Sequence, residues 1–187
     1  MTGDAFRVER AHAGAADLSV VAQWYQTLQV RQWMSEFEFA RFAGGLDTVG
    51  SASDGGHTLR LGSYAWIGYD GLDPVSFVGG EVRRRLAGRT LMVGRTAHIP
   101  DVDGPASLGV ICAVAPGRRE EGFGRRTMHA VLSVLPTMDT DACTVECSVD
   151  INNDASLALF RSLNEFTEDA TSSTDIRFRH QICSTST

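Results

Sequence analysis

The sequence predicts a single α+β domain: antiparallel strands first, then a strand–helix–strand–helix–strand run. Three observations carry this. Hydrophobic residues are 43% and charged residues 21% of the 187, the balance of a folded globular chain. The second half switches repeatedly between strand runs and helical spacing. No repeat, linker or low-complexity stretch divides residues 1–187, a length that suits one core, here about residues 6–181.

The elements follow in order. Phe6–Arg10 alternates as a first strand, and Asp17 is placed to cap a helix whose apolar face is Leu18, Val21, Ala22 and Tyr25. A second helix is expected over Glu36–Phe42, stopped by Gly44-Gly45, and a Gly/Ser/Asp-rich loop over Gly50–His57. Ser63–Tyr69 and Val75–Arg83 form a hairpin about Asp70-Gly71-Leu72-Asp73-Pro74. Thr90–Val93 is a further short strand, and Pro100–Pro105 a polar loop. Leu108–Val114 is nearly all apolar, as in a strand buried on both faces. After it come a helix with Met128, Val131, Leu132 and Leu135 inward, a strand over Cys143–Val149, and a helix capped by Asn153 or Asp154. The inward face of that helix is Ser156, Leu159, Phe160 and Leu163, and Ile176–His180 is the last strand.

Composition excludes several functions. A net charge of −6 is the wrong sign for a general nucleic-acid binder and is compatible with a cationic substrate. All 17 basic residues are Arg, which removes Schiff-base lysine chemistry and the lysine-containing phosphate loop, and fits a high-GC bacterial source. The cysteines (112, 143, 147, 183) and histidines (12, 57, 98, 129, 180) form no metal-ligand spacing, so reduced thiols and no metal are expected. No apolar run is long enough to span a membrane and no signal-peptide core follows Met1, which makes the cytoplasm the default location.

The segment between the buried strand and its helix carries the chemistry. Gly122 and Gly124 let backbone approach a ligand, and the free N–H groups of a helix start favour an anion. Arg118, Arg119, Arg125 and Arg126 surround them. The physical reading is a pyrophosphate cradle of main-chain amides. It is not a dinucleotide fingerprint, because Thr127 stands where the third Gly would be.

Val114-Ala115-Pro116-Gly117-Arg118-Arg119-Glu120-Glu121-Gly122-Phe123-Gly124 resembles the acetyl-CoA motif of the GNAT family of N-acetyltransferases, Val-x-Pro-x-x-Arg/Gln-x-x-Gly-x-Gly/Ala. Asn153 and Ser156, followed by Leu159, Phe160 and Leu163, resemble its second motif. Trp24-x(5)-Val30-x-x-Trp33 resembles a stretch of two branches, acting on ribosomal-protein N-termini and on aminoglycosides. The family's Tyr is here Phe160, and its Leu-Gly-Phe is here Leu163-Asn164-Glu165-Phe166, where Asn164 could take the left-handed conformation of the Gly.

The resemblance implies a GNAT fold, a twisted mixed sheet of about six or seven strands with helices on both faces, whose strands ending at Pro116 and starting at Cys143 splay apart. It implies acetyl-CoA as co-substrate. The backbone of Cys112, Ala113 and Val114 would pair with its pantetheine arm. The segment Arg119, Glu120, Glu121, Gly122, Phe123, Gly124 and Arg125 would hold its pyrophosphate, and Asn153 and Phe160 would line its arm. Phe160 brings no hydroxyl to protonate the leaving thiolate. The general base is Glu146 or Glu81, with Asp101 and Asp103 behind them, and Trp24, Trp33, Phe37 and Phe39 are candidates for the acceptor pocket. The expected activity is acetyl transfer to a primary amine of a small metabolite or antibiotic-like compound. A protein N-terminus, or a non-catalytic acetyl-CoA-binding module, is the alternative. The partner is then a small-molecule amine, with neither nucleic acid nor membrane, and a homodimer stays open.

Overall fold

The structure, a computed structural model, describes residues 6–34, 38–48, 51–53, 57–88, 91–93, 96–98 and 102–182. Glu36, Phe37, Thr90, Asp101 and Cys183 lie outside the described residues.

The elements are β1 (Arg7–Ala11), α1 (Asp17–Trp24), α2 (Leu28–Arg31), α3 (Phe39–Gly44), β2 (Ser51–Ser53), β3 (Thr58–Asp70) and β4 (Asp73–Leu86). They continue with β5 (Leu91–Val93), β6 (Thr96–His98), β7 (Val102–Val114), α4 (Phe123–Val134), β8 (Ala142–Asp150), α5 (Asp154–Arg161), β9 (Thr167–Thr171) and β10 (Asp175–Gln181). The main sheet runs β1-β3-β4-β7-β8-β10-β9, with β2 added on β3; β5 and β6 pair apart from it. All its pairings are antiparallel except β7 with β8. This is the expected α+β sheet.

Helices cover both faces. On one, Met128, Val131 and Leu132 of α4 and Leu157 and Phe160 of α5 pack on Val78, Val82, Leu108, Val110, Val145 and Phe178. On the other, Leu18, Val21, Trp24, Val30, Phe39 and Phe42 of α1–α3 pack on Ala65, Ile67, Phe77 and Ala113. Strand alternation sorts the side chains, since successive residues point to opposite faces.

Local chemistry corrects several expectations. Asp17 does not cap α1; its carboxylate accepts from the Tyr69 hydroxyl at 2.8 Å, a bond to the neutral phenol that, with burial, raises the Tyr69 pKa. The loop expected over 50–57 contains β2, and β7 begins at Val102, before the polar segment expected through Pro105 has ended. A four-residue α2 and the strand β9 add to the sequence reading. On α5 the buried residues are Leu157 and Phe160; Leu159 is half-buried and faces a groove. Asn164 keeps a negative φ: among the described residues only Asp47 and Glu120 are non-glycine with positive φ, so the extra residue rather than a left-handed Asn makes that turn. No helix among the described residues is long and apolar enough to cross a membrane.

Phe77 is the hub of the second core. It is fully buried, meets Tyr25 and Phe42 edge-on at 6.3 and 6.2 Å, and meets Phe39 at 5.6 Å. Phe77→Ala removes these contacts and leaves a cavity under α1 and α3. It is expected to lower the unfolding free energy by about 3–5 kcal/mol, read from urea titration.

Candidate functional site

The parallel pairing of β7 with β8 stops at Gly109↔Glu146, although both strands run on, to Val114 and Asp150. Beyond that point the strands part, as the splay expectation requires. Val110–Val114 stays bonded to β4 on one side only. The gap is a groove of about 800 Å³ walled by 110–114, by 147–150, by the first turn of α4, by the inner face of α5 and by Gln29, Val30, Trp33 and Met34 around α2.

α4 points its start at this groove. Its N-cap is Gly122, with φ +77° and no side-chain cap, and the first intrahelical bond is donated by Arg126, so the earlier amides have no helical acceptor. Glu120 (φ 67°) and Gly122 are both left-handed, the alternation that curls main-chain N–H groups into an anion-binding concavity. The contrast with α5 is direct. Asn153 caps it, its Oδ1 accepting from the Ser156 amide at 3.2 Å, while the residue also lines the groove. The cap expected of Asn153 is therefore present, and its position on the groove leaves it free to meet a ligand arm as well.

The two glycines do different work. A Cβ on Gly124 would lie 3.2 Å from Val114 Cγ2 and 3.5 Å from Cys112 Sγ, on the groove floor, so this Gly lets α4 sit against β7. A Cβ on Gly122 meets nothing within 4 Å, and its requirement is the left-handed φ.

The arginines also divide. Arg118 is spent on structure: it donates to Asp70 at 2.6 Å and Glu121 at 2.9 Å, which raise its pKa further, and it covers the Phe123 ring at 4.7 Å. Arg126 stacks on the Phe6 and Phe123 rings, each at 4.4 Å. The Phe123 side chain is thus buried packing, and its amide is what faces an anion. Arg119 reaches the Gln29 carbonyl at 3.4 Å and ties the loop to α2. Arg119 and Arg125 are exposed on the groove rim with Glu120, Asp150 and Asp154. The lining is of mixed sign, so the net charge of −6 is not concentrated in the groove.

Cys112 and Cys147 lie across the groove floor. Burial pushes the Cys112 thiol up to about 12 and raises Cys147 as well. Burial thus disfavours the thiolate form of both. The Phe160 ring stacks on Phe178 at 5.5 Å and meets Phe166 edge-on at 5.3 Å, forming apolar wall.

One row of residues crosses the sheet where the strands rejoin: Ser63, Glu81, Gly109, Glu146, Arg179 and Thr167, one per strand, on the α1–α3 face. Glu81 and Glu146 flank Gly109, each about 4.8 Å of strand spacing away, leaving an exposed notch between two carboxylates. Glu81 has both oxygens engaged, Oε1 with Arg60 at 3.5 Å and Oε2 with Arg83 at 2.6 Å. Glu146 takes both Arg179 contacts, 3.1 and 3.0 Å, on Oε1, and no hydrogen bond to Oε2 is found among the described residues. Neither carboxylate lines the groove itself; they sit one residue past its inner end. Asp103 pairs with Arg85 farther along the sheet. Of the aromatic candidates, Trp24 and Phe39 are core, while Trp33 is 39% exposed and lines the groove. The Gly109 notch carries no sequence motif and only strand pairing reveals it, whereas Val30 and Trp33 of the α2 wall belong to the Trp24-x(5)-Val30-x-x-Trp33 stretch.

The sheet order, the parted parallel strands and the uncapped helix between them define the GNAT fold. Solved structures similar to the chain include the aminoglycoside N(6′)-acetyltransferase of Legionella pneumophila, with TM-score 0.53 and 11% identity over 95% of this chain and 92% of that one. A spermidine N-acetyltransferase chimera from Vibrio cholerae and hSSAT gives 0.60 and 12% over 96% of each chain. The aminoglycoside acetyltransferase AAC(6′)-Ib in complex with coenzyme A gives 0.60 and 12% over 95% of each. No family model and no curated protein matches the sequence. At such identities the likeness is one of fold.

Gly122→Ala is expected to weaken coenzyme A binding and to lower stability by no more than the strain of one left-handed residue, about 1–2 kcal/mol. Gly124→Val is expected to lower the melting temperature as well, because its side chain pushes α4 off β7. Calorimetric titration and thermal unfolding of both variants separate the two.

Proposed function

We propose that this chain is an acetyl-CoA-dependent N-acetyltransferase of the GNAT family that acetylates a primary amine of a small molecule. The observation that carries the reading is the parting of β7 and β8 onto the uncapped start of α4: free strand edges and free amides meet in one groove. Similar folds are named as acetyltransferases of aminoglycosides and spermidine, and one of those structures contains coenzyme A.

The residues fit the co-substrate. Unpartnered amides at Gly122–Arg125 suit a pyrophosphate, since they donate into a positive helix end. The unpaired edge of Val110–Val114 suits the amides of a pantetheine arm. Acetyl-CoA, when bound, supplies an acetyl group activated as a thioester.

The chain's own residues do the rest. The amine enters at the Gly109 notch, where no side chain blocks it. Glu146 accepts the ammonium proton at Oε2, directly or through one water, while Arg179 fixes Oε1. Glu81, held at both oxygens, shapes the far side of the notch. Phe160 lines the arm with an apolar ring and donates no proton, so the leaving thiolate takes its proton from water or another donor.

An amine panel with mass detection of acetylated product is the direct test. Glu146→Gln is expected to lower kcat by about 10²–10⁴-fold with coenzyme A affinity unchanged, and Glu81→Gln to lower it less. A larger loss in Glu81→Gln would move the base across the notch. Coenzyme A binding without transfer to any amine, or hydrolysis, would leave a binding module.

A further inference from the structure

Away from the groove floor, α4 carries a hydrogen-bonded chain that the reaction scheme does not use. Arg125 Nε lies 3.4 Å from His129 Nε2, one helical turn on, and His129 Nδ1 lies 3.0 Å from Glu165 Oε1. Glu165 is the residue by which Leu163-Asn164-Glu165-Phe166 exceeds the family's Leu-Gly-Phe. Its main-chain oxygen faces His180 Nδ1 at 2.9 Å, and its Oε2 is buried without a hydrogen bond. The chemistry dictates the proton order. A guanidinium only donates and a carboxylate only accepts, so the chain closes only when His129 is neutral and carries its proton on Nδ1. Protonation puts N–H on Nε2, facing the Arg125 donor, and the contact becomes a repulsion between two cations.

We propose that His129 is a positioning residue for coenzyme binding: neutral, it holds the Arg125 guanidinium back along α4 at the groove rim, and protonated, it releases the guanidinium toward the phosphates. This rests on the reading of the Gly122 cradle as a coenzyme A site. Arg125 is suited to the role because it stands in the first turn of α4, exposed on the groove rim. Among described charged groups, Arg125 from α4 and Glu165 from the α5–β9 turn face His129. His180 of β10 reaches only the Glu165 main chain, Arg126 is turned to Phe6 and Phe123, and Arg161 of α5 is paired with Glu168. β1, β3, β4 and β7 meet the opposite side of α4, on which Thr127, Met128 and Val131 are buried. The sign follows: protonation of His129 favours binding, so binding takes up protons, and coenzyme affinity rises as pH falls.

Calorimetric titration with coenzyme A, in buffers of different ionisation enthalpy across the titration range of histidine, reads this directly. Wild type is expected to take up protons and to bind roughly two- to fivefold tighter at the acid end, the worth of one partly exposed charge contact. The phosphate's own titration is common to every variant and cancels between them. His129→Gln and Arg125→Gln should each remove the His129-linked uptake, and the double variant should lose nothing more. Glu165→Gln, which keeps an acceptor without its charge, should retain uptake but shift it to lower pH. Wild-type proton uptake in folded His129→Gln overturns the proposal and leaves the coenzyme site standing. Failure of wild type to bind coenzyme A at any pH overturns both.

Discussion

The structure hangs on one departure from regular pairing. β7 and β8 begin as neighbouring parallel strands and separate after Gly109↔Glu146. A sheet leaves backbone groups unpaired only where something else can satisfy them. Here the unpaired edges line a groove, and α4 leaves β7 to begin at the mouth of that gap. The helix start, the free edges and the carboxylate notch are thus three results of one opening.

The packing explains why the opening stays open. Phe160, Phe166 and Phe178 brace α5 on β10, while Met128 and Val131 brace α4 on the other side. The Gly124 contact lets α4 lie close to Val114 and Cys112, so the helix start cannot slide along the strand. Helices on the second face are held separately by the Phe77 cluster, which leaves the α2 segment with Trp33 along the groove without tying it to the first core.

Most of the fold was legible in the sequence because its second half obeys strand and helix periods cleanly. The loop that opens α4 was legible because its glycines and proline must stand at fixed steps around a tight turn. What escaped had physical reasons. Asp17 looks like a cap by position, but Tyr69, distant in sequence, claims its carboxylate. The left-handed Glu120 breaks the usual preference for glycine or asparagine. The arginines around the motif look alike in a sequence, and only packing separates Arg118 and Arg126, stacked on Phe123, from Arg119 and Arg125 at the rim. The choice between Glu81 and Glu146 depends on which oxygens their guanidinium partners occupy, which no spacing encodes.

The Arg118–Asp70 bridge has a practical side. Asp70 closes the β3–β4 hairpin next to Gly71 and Leu72, and Leu72 is 83% exposed. By exposure alone this tip is an ordinary place to splice in an epitope, a fluorescent reporter or new chain termini. In this protein the tip is bonded to the loop that precedes α4, so an insertion there pulls on the groove-facing start of that helix. Surface engineering belongs elsewhere on the molecule.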